Sequence, residues 1–96
     1  MHKLVHEIWE CTEDGMILHT CCFAGPHGED CRRTIQPNAR LLATFEAGRH
    51  FEAMMIYNRY LGREEYTTVF EEDYLPYPEE WCHEQKAARG KEETKQ

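Results

Sequence analysis

Leu41-Leu-Ala-Thr-Phe-Glu-Ala-Gly-Arg-His-Phe-Glu-Ala-Met-Met-Ile-Tyr-Asn-Arg-Tyr-Leu61 changes its period at one glycine. Before Gly48 the pattern alternates: Leu41, Ala43, Phe45 and Ala47 point one way, Arg40, Thr44 and Glu46 the other. That is the signature of a half-buried strand over about 40–47. After it, Phe51, Met54, Met55, Tyr57 and Leu61 gather on one side of a helix over about 49–61, with Glu52 and Arg59 opposite. Gly62 is placed to close that helix as its C′ residue. A strand that feeds straight into an apolar helix supplies most of a small core.

Upstream, residues 3–11 and 16–23 are short, apolar and β-prone, joined by Thr12-Glu-Asp-Gly15. Asp-Gly accepts the two positive φ angles of a type I′ turn, so the segment predicts a hairpin. With Asp14-Gly15 as the loop, Glu13 pairs with Met16, Glu10 with His19, Trp9 with Thr20 and Ile8 with Cys21. Both faces of the hairpin mix polar and apolar residues, so the pattern leaves open which one the helix covers.

Residues 24–38 follow neither period, and Gly25-Pro26, Gly28 and Pro37-Asn38 are turn chemistry, so a long loop is expected. Tyr66-Thr-Thr-Val-Phe70 suits a short fourth strand or an extended pass along the sheet edge. Pro76 and Pro78 hold their predecessors extended, and Pro78 fits the first turn of a short second helix with Glu79 and Glu80 at its positive end. Trp81, Gln85 and Ala88 share a side of it, with Trp81 as the expected anchor. The pattern predicts a single α+β domain over 1–89. Its small antiparallel sheet of three to four strands is packed by one main helix, with a short C-terminal helix. The polar residues 90–96 are expected to form a disordered tail.

Eighteen acids against eleven bases give a net charge of −7, which argues against a nucleic-acid backbone or an anionic membrane as partner. The N-terminal residues contain no apolar leader-like run and no stretch approaches a membrane span, so a cytoplasmic location is expected. Five cysteines, an odd number, are then expected as free thiols or metal ligands.

Phe45-Glu-Ala-Gly-Arg-His-Phe-Glu-Ala-Met54, Tyr66-Thr-Thr68 and Pro76-Tyr-Pro-Glu-Glu-Trp81 resemble an uncharacterised family of small bacterial proteins with no established activity. The likeness extends to Trp9-Glu-Cys-Thr-Glu-Asp-Gly15 and Ala24-Gly-Pro-His-Gly28. It implies a bacterial, one-domain protein and transfers no catalytic residue.

Four constellations could carry chemistry. His19, Cys21, His27 and Cys31 offer soft ligands suited to zinc, although Cys-x-x-Cys is absent and free cysteines are more often buried apolar residues. His27, Arg32 and Arg33, near Gly25-Pro-His-Gly28, could bind an anionic ligand, and His50 could cap the helix, pair with Glu46 or line a pocket. Cys31 beside Arg32 could act as a nucleophile, but Glu29 and Asp30 oppose its ionisation and no oxyanion motif accompanies it, so no catalytic residue is assigned. Finally Tyr57, Tyr60, Tyr74, Tyr77 and Trp81, with Met54 and Met55, concentrate residues favoured at protein contacts. The leading reading is a non-enzymatic binding or oligomerising module that meets a protein partner or a second copy. The runner-up is a metal- or anion-binding site within 19–33.

Overall fold

Asp14 and Gly15 take φ of 52° and 78°, the pair of left-handed conformations a type I′ turn demands. They join β1 (Leu4–Glu13) to β2 (Met16–Phe23), and the register is the one the turn predicts, from Glu13 opposite Met16 to Ile8 opposite Cys21. The computed structural model describes residues 3–35 and 38–94. β3 (Ala39–Ala47) pairs with the other edge of β1, giving an antiparallel sheet in the order β2-β1-β3. The helices are α1 (Glu29–Ile35), α2 (His50–Tyr60) and α3 (Glu79–Thr94), so the fold is a small α+β arrangement with the sheet at its N-terminal end.

The alternation expected of β3 holds for only part of its length. Ala47, Phe45 and Ala43 oppose Leu4, His6 and Ile8, but Trp9 then opposes Leu41, so Leu42 is an extra residue. This bulge reverses the facing of everything before it. Leu41 therefore joins the side of Trp9 and is largely exposed, instead of lying in line with Ala43. The same shift sets Arg40 against Glu10, whose carboxylate it meets at 3.0 Å.

Which hairpin face is covered is now settled. Leu4, His6 and Ile8 are buried, and α2 lies over them with Ala53 and Tyr57, one turn apart, as its fully covered seam. Each buried aliphatic side chain there contributes roughly 1.5–3 kcal/mol. Phe51 and Met55, half-buried, lie on the other side of α2 from this seam, Phe51 beneath Tyr74 and Tyr66. The turn into α2 is fixed by the Glu52 carboxylate, which accepts the Gly48 N–H at 3.0 Å. At the other end Gly62 has φ 72°, and the Gly62 and Arg63 N–H groups reach the Arg59 and Asn58 carbonyls, a Schellman closure.

Three expectations change. Residues 24–38 contain a 3-10 turn, Pro26–Gly28, and the helix α1 where an irregular loop is expected. Seven residues are too few to hold a helix by propensity; Arg32 fastens it, donating to the carbonyls of Phe23 (2.7 Å) and Gly25 (2.6 Å) and to Glu7 (3.2 Å). Residues 66–70 join no sheet, leaving three strands among the described residues. The helical backbone of α3 continues through Gly90 to Thr94, so the tail expected from residue 90 begins no earlier than the helix end. The expected turn at Pro37 and the last residues, 95–96, lie outside the described residues.

The anchor of α3 is also different. Cys82 and Gln85 are buried, whereas Trp81 is only half-buried, against Phe23, Tyr77 and His27. No helix among the described residues is long and apolar enough to cross a membrane.

Candidate functional site

The chain between α2 and α3 forms a strap across the start of α2. Its C-terminal end is tied to the start of α2: Tyr77 N–H donates to the Gly48 carbonyl at 3.0 Å, and Arg49 bridges to Pro76. Within it the Thr68 hydroxyl accepts the Phe70 N–H at 3.1 Å, and a 3-10 turn, Glu71–Tyr74, follows. Tyr66 donates its O–H to Asp73 at 2.8 Å, which holds the Asp73 carboxyl below its usual range and pushes the Tyr66 phenol up. Phe51 of α2 fills the space beneath, stacked on Tyr74 with ring centres 4.8 Å apart and tilted against Tyr66 at 5.9 Å.

What this strap presents outward is apolar. Val69 is 91% exposed, Phe70 63%, Leu75 61% and Tyr74 45%. Single exposed hydrophobes are ordinary, but four within seven residues on a hydrogen-bonded strap form a patch that folding alone does not explain.

No family model, curated protein or solved structure matches the chain.

The residues expected to meet a partner divide accordingly. Tyr60 and Tyr74 are exposed, Tyr77 and Trp81 are half-buried, and Tyr57, only 7% exposed, belongs to the core. Burial raises the Tyr57 phenol, and the Arg63 guanidinium lies over its ring at 5.7 Å. Val69, Phe70 and Leu75 join the exposed set although the sequence pattern does not mark them. The available signal was the absence of any periodicity that could bury them, in a segment interleaved with Glu71, Glu72 and Asp73.

A cavity of about 160 Å³ lies at the outer edge of β2. Consecutive residues Cys21, Cys22 and Phe23 form one wall; His50 and Met54 of α2, His6, Tyr77, His27, Gly28 and Cys31 form the rest. His6 Nδ1 lies 2.9 Å from the Leu4 carbonyl, which can only accept, so Nδ1 carries the proton and Nε2 accepts the Tyr77 O–H at 3.1 Å. The ring stacks on Phe45 at 4.9 Å. Burial lowers His6 to about 4, outweighing the hydrogen bond to Leu4, which acts the other way. Burial likewise pushes the Cys21 thiol up to about 12 and raises Cys22, which also shares a hydrogen bond with Cys31. Thiols so placed stay protonated and are poor nucleophiles and ligands.

Of the expected metal ligands, Cys21, His27 and Cys31 border this cavity, while His19 lies 3.6 Å from Glu10 towards the hairpin tip. Among the described residues no group of three or more His, Cys, Asp or Glu side chains is placed to hold a metal ion, so the zinc set does not assemble. His27 Nε2 is buried without a hydrogen bond, 3.8 Å from Glu84. The anion clamp does not form either. Arg32 is spent on Phe23, Gly25 and Glu7, and Arg33 turns outward to Glu29 and Asp30. His50 does line a pocket, with its ring edge-on to Tyr66 at 6.0 Å.

Proposed function

We propose that this chain is a non-enzymatic binding module whose contact surface is the strap between α2 and α3. The observation that carries the reading is the display of Val69, Phe70, Tyr74 and Leu75 on a segment tied to the start of α2 at Pro76 and Tyr77 and closed on itself by the Tyr66–Asp73 hydrogen bond. An anchored strap loses little further entropy on binding, which favours recognition over random exposure. Tyr60 adds an exposed aromatic ring on α2.

Charge selects the partner. Glu71, Glu72 and Asp73 lie within the patch, and the chain carries −7 overall. A two-fold contact of the patch with itself would set those carboxylates against their copies, whereas an apolar groove rimmed by Lys and Arg would complement them. The partner is therefore read as a different, basic-rimmed protein, met in the cytoplasm of a bacterium in keeping with the family resemblance.

A photo-crosslinking side chain at position 70, compared with one at exposed Lys86 on α3, tests this in cells. Position 70 should yield a discrete product that contains a second protein and differs in mass from a dimer of the chain, and Lys86 should not. Equal yields at both positions, or a product with the mass of a dimer, would contradict the reading.

A further inference from the structure

The cavity at the β2 edge has a feature that its side chains do not reveal. Ala24 N–H bonds to the Val5 carbonyl, so residues 24, 22, 20, 18 and 16 of the hairpin turn their backbone groups inward to β1. Residues 23 and 21 then turn theirs outward. The Phe23 carbonyl is taken by Arg32. The outward N–H and C=O of Cys21 have no partner among the described residues, and they lie on the strand edge that walls the cavity.

The remaining walls define what could meet that pair. No Lys, Arg, Asp or Glu side chain lines the space, and the nearest guanidinium, Arg32, is held by Phe23, Gly25 and Glu7. His6 is neutral near pH 7 and the Cys21 and Cys22 thiols stay protonated, so these walls offer no charge to a charged guest. Phe23, Tyr77, His50 and Met54 offer ring faces, ring edges and a thioether. A cavity of about 150 Å³ accepts a benzene ring, so a volume of about 160 Å³ has room for a single ring.

We propose that this cavity binds a small, neutral, single-ring amide whose adjacent N–H and C=O pair with the outward C=O and N–H of Cys21, as a neighbouring strand would. The site shares Tyr77 with the anchored end of the strap but involves none of the exposed residues 69–75.

Titration of the full chain with 2-pyridone, followed by amide chemical shifts, tests the assignment. The Cys21 amide should move and saturate with Kd on the order of 1 mM, the scale for a ligand of so few atoms. N-methyl-2-pyridone, which lacks the donor, should bind roughly tenfold more weakly for the loss of one hydrogen bond. Benzoate, of similar size but charged, should leave the Cys21 amide unmoved. Met54→Trp, confirmed folded by its amide spectrum, should fill the space and abolish the response. If the Cys21 amide stays still up to saturating pyridone, or the N-methyl compound binds equally well, the proposal is wrong. Undiminished binding to folded Met54→Trp would place the ligand elsewhere and overturn it too.

Discussion

Gln85 and Val5 are 80 residues apart in sequence, yet the Gln85 side chain behaves as a backbone group towards Val5: its Oε1 accepts the Val5 N–H at 2.7 Å, and its Nε2 donates to the Val5 carbonyl at 3.0 Å. The same Nε2 also reaches the Ala24 carbonyl at 2.9 Å. The amide thus completes the β1–β2 ladder where the two strands part, and it does so from a side chain only 2% exposed.

Truncating it leaves a buried donor and two carbonyls underpaired. Gln85→Ala should therefore cost on the order of 2–4 kcal/mol and lower the thermal midpoint by roughly 10–20 °C for a chain of this size. Chemical denaturation with and without the substitution measures this. An unchanged midpoint would mean α3 is not locked to the sheet by this amide.

His6 gives the fold a pH dependence of known sign. Its neutral form is favoured when folded, with a value of about 4 against 6.5 in an unfolded chain. Above pH 6.5 both states are neutral and stability is complete. As pH falls from 6.5 towards 4 the unfolded chain takes up a proton that the folded chain refuses, and about 3 kcal/mol is lost. Protonation would also remove the acceptor for Tyr77 O–H, the tie between strap and sheet. Urea midpoints measured across this window should fall, and His6→Phe should flatten this part of the profile.

Gly28 is buried under the Arg32 clamp, and a β-carbon there would overlap the Phe23 carbonyl and crowd the guanidinium. Gly28→Ala should therefore loosen α1 and cost on the order of 2–4 kcal/mol, with Arg32→Met having a similar effect. Arg33→Met, on the exposed side of α1, should leave the thermal midpoint unchanged. Equal effects at Arg32 and Arg33 would refute the clamp.

These positions also show what the sequence could and could not reveal. The hairpin was legible to the residue because Asp14-Gly15 admits one turn type, and the turn sets the register. The Schellman end of α2 was legible from Gly62 for the same local reason. The bulge at Leu41-Leu42 was not, since two leucines satisfy an alternating pattern in either phase. α1 escaped because its stability comes from Arg32 reaching carbonyls before it, a tertiary effect with no periodic trace. Cys21, His27, Cys31 and His50 were marked as chemistry-bearing, and they do border one cavity. Their arrangement depends on the tertiary packing around them, which composition does not encode.

The strap decides the account. The double substitution Val69→Ser with Phe70→Ser should leave the thermal midpoint within the error of the native chain, because neither side chain is buried. Carried in a chain with the crosslinking side chain moved to position 75, it should reduce the crosslinked product at least tenfold. Stable protein with a lost product is the predicted result; a large fall in the midpoint, or a product that persists undiminished in folded protein, would contradict the claim that this strap is the binding surface.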